Sequence, residues 1–520
     1  MGIGWDTIIV GAGVGGLTAA AKLVREGLHV LILERNPHPG GTAYVYSRKG
    51  FAFPMGPLGF SHPELVRSIL RDLRVEDNLL LHRVHYRIKA FGCDLPLSLP
   101  SADLVKELAE CFPSDARAVG RFFQDMEDLL PFLQRPDSDA NLYKSSAAEY
   151  LTQRIQDWRL RRILGTIGTR EPYSNLPLLA AMWNLMTNEG IWYPEGGMGP
   201  FCQRLVRAVT GYQRDIRTPD GQSAEKRGLG EIRLGVDVAK IRLSKGKVLG
   251  VALRDGAEID STSVISNADY KTTFITLLDQ KEVPPRWYRA VSNAKQTGSV
   301  LQVCLGVDAS KADLSSFRNA SRLIYKRNPN DLQEKEELDW NVTEVAPEIL
   351  ARQELEVSLW SKDDKSLAPE GKEVIVIRAE ANYSHFARYR LGWRKRSSAY
   401  VEYKNRLGRA LIREAENLIP GLEGAISVID MATPLTFEDQ GGRNGGAVAG
   451  WSWDYEDFHD GSPRELIRTP IRGLYMAGYQ AYSALFMGGI PTATESGARA
   501  ADAVLKDLGP IEEIMIPGVE

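Results

Sequence analysis

Little in this chain of 520 residues could build a disulfide frame or a metal centre. Its 4 cysteines, Cys93, Cys111, Cys202 and Cys304, are scattered and form no CxxC pair, the pattern of isolated thiols in a reducing compartment. The 7 histidines (His29, His38, His62, His82, His85, His385 and His459) are single and dispersed. They suggest no metal site, and no Ser/His/Asp or Cys/His nucleophile set is visible. A net charge of -3 supplies no basic excess, which argues against non-specific nucleic-acid binding. No apolar run reaches the roughly 18 residues that span a bilayer. The first strand begins so near the N-terminus that a signal peptide has no room. Internal repeats and low-complexity linkers are missing too. These absences lead to the expectation of a cytoplasmic protein, attached to a membrane at most peripherally. With 43% hydrophobic and 25% charged residues the composition is ordinary for a globular protein, and the length implies two or three domains.

What the chain does have comes first. Thr7 to Val10 is a β-branched apolar run and reads as a buried parallel strand. It leads into Gly11-Ala12-Gly13-Val14-Gly15-Gly16, then an alanine-rich helix from Leu17 to Glu26 with Gly27 at its C-cap, then a second strand, His29 to Leu33, closed by Glu34. The spacing has a physical reason. Gly11 permits the tight turn, Gly13 lets a pyrophosphate approach the backbone, and Gly16 lets helix and strand pack closely. Free N–H groups at the helix start meet phosphate charge. Glu34 stands where a carboxylate accepts both ribose hydroxyls and repels a 2′-phosphate.

Downstream, Arg35 to Thr42 (RNPHPGGT) is a turn-rich connection. Its Gly40-Gly41 pair admits close backbone approach, and Arg35 either reaches the pyrophosphate or is a solvated loop charge. Phe51 to Phe60 (FAFPMGPLGF) is apolar and full of breakers, so it reads as an irregular loop pressed against something flat. Leu65–Leu73, Ala102–Cys111 and Ala116–Leu133 have helical spacing. Leu176 to Met186 is apolar nearly all round, either a buried helix or the wall of an apolar tunnel. Trp192 to Pro200 reads as a glycine-dense turn before a helix, Phe201 to Val209. Short strands with turns at Lys245-Gly246 and Asp255-Gly256 follow, and Val264 to Ser266 returns to the first sheet. Lys326 to Asn341 is a hydrophilic surface segment, Val374 to Ile377 a strand, and Tyr400 to Leu418 an amphipathic helix. Ile471 to Ala477 is a turn and a strand before Gly478. Gly488-Gly489-Ile490-Pro491 opens a last helix, where Pro491 suits the first turn.

Nearly the whole length resembles the FAD-dependent phytoene desaturase and carotenoid isomerase family, within the amine-oxidase-like flavoproteins. The segments that carry the resemblance are GAGVGGLTAAAKL with LERNPHPGGTA, YPEGGMG, VAKIRLSKGKVLGVALRDG with VISNAD, SKDDKSLAPEGKEVIVI, IDMATPLTFEDQGGRNGGAVAGW and RGLYMAGYQAYSALFMGGIPTATESGARAA. The resemblance implies an α/β fold: a discontinuous Rossmann-like FAD-binding domain (1–95, 225–300 and 460–520) and an α+β substrate-binding domain (96–224 and 301–459). It implies that Gly11, Gly13, Val14, Gly15 and Gly16 hold the ADP half of FAD, with Glu34 on the ribose and Arg35 nearby. Gly40, Gly41 and Thr42 would follow the pyrophosphate and flavin, and Val238 would meet the adenine. Pro57, Asn267 and Gly478 would also touch the cofactor. Gly489, Ile490 and Pro491 would face the pyrimidine end of the flavin, where the helix dipole stabilises the charge of the reduced ring.

The resemblance thus implies redox chemistry at carbon–carbon double bonds of a hydrophobic, isoprenoid-like small molecule: desaturation, saturation or isomerisation. Amine or porphyrinogen oxidation remains open, as does a non-enzymatic prenyl-binding escort, although Glu34 and the complete glycine set speak against the last. No residue is marked as a general base, so the catalytic group is left open. An electron-transfer partner, a homo-oligomer and peripheral membrane contact are also left open.

Overall fold

The computed structural model describes residues 4–56, 59–75, 79–97, 101–133, 145–165, 175–211, 214–217, 223–226, 228–326, 342–452, 466–481 and 489–509. The opening stretch folds as its pattern requires. Strand β1 (Trp5–Val10), helix α1 (Val14–Arg25) and strand β2 (Val30–Glu34) follow in succession. β1 and β2 are almost wholly buried, because helices cover both faces of a parallel sheet. Their neighbours come from far along the chain. The parallel order is Gly230–Leu234, β2, β1, Glu258–Ser266 and Leu474–Met476. The long strand Glu258–Ser266 does two jobs. Its first half pairs antiparallel with Lys247–Leu253, which in turn pairs with Val238–Ser244, and its second half pairs with β1 and Leu474–Met476. The last helix, Gly489–Leu508, lies across α1 so closely that a Cβ on Gly497 would stand 2.2 Å from the Gly15 carbonyl oxygen.

A second, mostly antiparallel sheet runs Ile426–Ala432, Ser299–Asp308, Lys372–Ala381, Leu355–Leu359, Arg322–Lys326, Tyr86–Ala90 and Cys93–Pro96. One face carries Leu301, Val303, Leu305, Ile375, Ile377 and Val357 into a core shared with the amphipathic helix Ser398–Ala415. Among the residues of a third core, Pro63–Asp72 aside, the expected helices Ser101–Cys111, Ala116–Leu133 and Leu176–Asn184 are present.

Two expectations need correction. Phe51–Pro54 is a regular strand, antiparallel to Val45–Arg48. Its Phe51 and Phe53 share one buried face, and the surface they press on is the second sheet: a Cβ on Gly306 would meet the Phe51 ring at 2.8 Å. Trp192 likewise belongs to a strand, Ile191–Pro194, paired with Leu81–Val84, and the turn starts only at Glu195. In both places cross-strand pairing overrides the local breakers. Pro57, Gly488 and all of the hydrophilic stretch after Lys326, residues 327 to 341, lie outside the described residues.

Candidate cofactor and substrate site

The parallel strands end on one side, and the chain there opens a cavity of about 740 Å³ between the two sheets. This is where ligands sit in open parallel sheets, beyond the carboxyl ends of the strands. Val10 ends β1, Glu34 ends β2, Asn267 follows Glu258–Ser266, and Gly478 follows Leu474–Met476; all four line the cavity. So do Gly11, Gly13, Val14, Gly15, Arg35, Gly40, Gly41, Thr42, Val238, Gly489 and Ile490. The two glycine-bearing helix starts, one near each end of the chain, therefore face one space. Gly16 and Pro491 do not border it. A Cβ on Gly16 would lie 2.3 Å from the Gly11 carbonyl oxygen, so that glycine permits the turn to fold against the helix. Pro491 is buried in the first turn of the last helix.

Contacts within the cradle explain its composition. Gly11 has φ +98°, the conformation the turn demands. No side chain caps α1 at Gly13, so its first N–H groups have no capping partner among the described residues. Gly40 N–H donates to the Ala12 carbonyl at 2.8 Å, which lays the second glycine pair on the first loop. Asn267 adds a constraint that spacing does not reveal. A Cβ on Gly13 would come within 2.7 Å of its Nδ2, and one on Gly15 within 2.6 Å of its Oδ1. At Gly15 the Gly478 backbone nitrogen would also stand at 2.8 Å, so a side chain is excluded there, whereas at Gly13 only the end of the Asn267 side chain would have to shift. The Asn267 Oδ1 is buried and has no hydrogen-bond partner among the described residues.

Glu34 is buried, and each of its oxygens already accepts one backbone N–H: Oε2 from Ala12 and Oε1 from Asn36, both at 2.8 Å. A carboxylate oxygen has a second acceptor site, so capacity for two ribose hydroxyls remains. Arg35 borders the cavity and donates from Nη2 to the Asp439 carbonyl at 3.3 Å. The residues present therefore fit a dinucleotide: an uncapped helix start, a second helix start opposite, a glycine cradle and a carboxylate at the end of β2.

Several cavity residues were not foreseen. Asp269 accepts at Oδ2 from Gln296 Nε2 (2.9 Å), the Tyr479 hydroxyl (3.1 Å) and Asn444 N–H (3.2 Å), and at Oδ1 from Lys271 and Thr272 N–H. Burial, and then the Asp269 charge, hold the Tyr479 hydroxyl pKa well above its ordinary value. The Arg443 guanidinium stacks 4.3 Å over the Tyr479 ring and donates to Thr42 Oγ1 at 2.9 Å. From the second sheet come Glu356, Arg378 and Glu380. For Arg378 and Glu380 the signal was legible: charges two residues apart in the apolar strand Lys372–Ala381 must share a face. Leu178, from the apolar helix Leu176–Asn184, also reaches the cavity, while most of that helix is buried elsewhere. Among the described residues there is no cluster of metal-ligating side chains, and no helix is long and apolar enough to cross a membrane.

A Rossmann-like sheet, two helix starts and a glycine-lined cavity against a second sheet define a dinucleotide-binding oxidoreductase of the flavoprotein kind. The family model for flavin containing amine oxidoreductases matches residues 14–345, and the chain belongs to that family, with FAD as its cofactor. It is 26% identical to the chloroplastic prolycopene isomerase of Daucus carota, over 97% of this chain and 80% of that one. It is 24% identical to the lycopene-forming phytoene desaturase of Pantoea ananas, over 96% of this chain and 99% of that one. Among solved structures the fold matches an oxidoreductase from Methanosarcina mazei (TM-score 0.61, 16% identity, 95% of this chain and 99% of that one). It also matches cyclohexylamine oxidase from Brevibacterium oxydans (TM-score 0.60, 15% identity, 97% and 100%).

Proposed function

We propose that this chain uses FAD to desaturate, saturate or isomerise carbon–carbon double bonds of a hydrophobic, isoprenoid- or polyene-like molecule. The observation that carries the reading is one cavity bounded on one side by both glycine-bearing helix starts and on the other by the second sheet. The full-length likeness to relatives named for polyene desaturation and isomerisation supports the substrate class. FAD bound there supplies hydride transfer. The chain's own residues bind and orient. N–H groups of Gly13 to Gly15 meet the pyrophosphate, Glu34 accepts the ribose hydroxyls, and Gly40 to Thr42 line the path towards the ring. The start of the last helix, at Gly489 and Ile490, presents donors and a partial positive charge to the pyrimidine edge. The second sheet closes the space against water. We assign the FAD-binding part to the first sheet and the substrate-binding part to the second, which takes in Tyr86–Ala90 and Cys93–Pro96 although the expected FAD-binding part ran to residue 95.

The test is anaerobic mixing of the purified FAD-loaded protein with polyenes, read by the flavin spectrum and by product analysis. Flavin bleaching or a changed polyene spectrum is expected; silence with every polyene refutes the proposal. Amine oxidation is the second reading, and the carboxylates of Glu356 and Glu380 in the cavity wall favour it, since they suit an ammonium group. Peroxide release with alkyl amines would select it.

A further inference from the structure

The second sheet is apolar on its covered face and polar at the middle of its cavity face. Three polar residues stand abreast there: Glu356 is in register with Arg378, and Arg378 with Gln302. Side chains opposite one another on a sheet face lie about 5 Å apart. Arg378 is held from two sides. Its Nε donates to Gln302 Oε1 at 2.7 Å and its Nη2 to the Gly56 carbonyl at 2.7 Å, and the guanidinium lies 5.6 Å over the Trp360 ring. The cation is therefore fixed, although burial lowers its pKa and so disfavours the charge.

A structural arginine of this kind would normally close on a carboxylate with two parallel bonds. Here it does not. Among the described residues Glu356 accepts only from Ser358 Oγ, at 3.4 Å, and no ion pair joins it to Arg378. Arg378 Nη1 has no partner among the described residues, and both side chains border the cavity. A fixed donor and an uncommitted acceptor thus stand side by side in the wall. They also adjoin the cofactor cradle. Gly56, which receives the Arg378 bond, packs against the Thr42 carbonyl so tightly that a Cβ would meet it at 2.5 Å.

Given the proposed chemistry on an isoprenoid-like chain, we propose that Arg378 and Glu356 anchor a neutral oxygen function on that chain, a hydroxyl or a carbonyl, so that the substrate is an oxygenated polyene and not a plain hydrocarbon. A hydroxyl accepts from Arg378 and donates to Glu356; a carbonyl accepts from Arg378. A carboxylate meets Glu356 and Glu380 on either side and is disfavoured. A hydrocarbon leaves donor and acceptor dehydrated and unpaired.

The test is equilibrium binding to the FAD-loaded wild-type protein of four polyenes of equal chain length, ending in a methyl, an alcohol, an aldehyde or a carboxylate, followed by polyene absorbance. The alcohol and aldehyde should bind at least about tenfold more tightly than the hydrocarbon, and the acid more weakly than the alcohol. The bound aldehyde should absorb further to the red, as a hydrogen-bonded carbonyl does. R378Q should abolish both the preference and the shift, and E356Q should improve binding of the acid. Equal binding of hydrocarbon and alcohol by the wild-type protein overturns the anchor and leaves the proposed function standing, whatever the variants do. Failure to bind any of the four overturns both.

Discussion

Replacing Gly497 with alanine probes how the two ends of the chain hold each other. The added Cβ would stand 2.2 Å from the Gly15 carbonyl oxygen and 3.0 Å from Thr18 Cβ. The first obstacle is backbone, so no rotamer relieves it. To reach even 3.0 Å, the closest spacing real Cβ atoms adopt, the helices must part by about 0.8 Å. Overpacking of that size costs roughly 1–3 kcal/mol, which in a chain of this length lowers Tm by about 1 °C per kcal/mol. Because Gly15 and Gly489 both border the cavity, the same displacement widens the distance between the two helix starts and should weaken FAD binding by about tenfold. The assay is calorimetry with and without added FAD, plus titration of flavin fluorescence. Gly120→Ala is the control: Gly120 lies inside Ala116–Leu133, and its nearest neighbour would be Val105 Cγ1 at 4.0 Å. That change should stabilise by about 0.5–1 kcal/mol and leave FAD affinity alone. A Gly497→Ala protein with wild-type Tm and FAD affinity would refute the reasoning.

Further outcomes follow from single side chains. Glu34→Gln keeps one acceptor oxygen where two are used, for Ala12 and Asn36 N–H, and should cost about 1.5–3 kcal/mol of stability and at least tenfold in FAD affinity; unchanged flavin titration would contradict the assignment. Asp269→Asn removes the charge beside Tyr479, so ultraviolet titration should find that hydroxyl ionising at lower pH, while burial keeps it above its ordinary value. Burial pushes the Cys202 thiol from 9.0 up to about 12. A pKa raised by folding means that the stabilisation is whole below pH 9 and is lost as pH climbs from 9 to 12, at about 1.4 kcal/mol per unit. Cys202→Ala should therefore flatten the alkaline limb of the stability curve by one proton, and an unaltered slope would refute it.

The N-terminal unit was legible because its requirements are local: β-branched strands, a turn that needs Gly11 at φ +98°, and a carboxylate at the strand end. The last helix was legible for the same reason, through its glycines and Pro491. What could not be read is what depends on distant partners. Phe51–Pro54 looks broken in sequence and becomes a strand because Val45–Arg48 pairs with it and Gly306 opens a flat place for Phe51. Asn267 and the Gly478 backbone crowd Gly15 from far along the chain, a constraint indistinguishable in sequence from that of a phosphate. The row of Glu356, Arg378 and Gln302 exists only through strand register, which three separate stretches of chain determine together. Arg378 is marked within its strand only by its spacing from Glu380, and Glu356 and Gln302 are unremarked in theirs.

The central claim is that the first and last glycine-bearing helix starts grip opposite ends of one FAD molecule. A crystal structure of the FAD-loaded protein measures this most directly. The account predicts the pyrophosphate within hydrogen-bonding distance of N–H groups between Gly13 and Gly15, and the pyrimidine edge of the flavin against Gly489 and Ile490. A flavin ring lying away from the head of the last helix would contradict it.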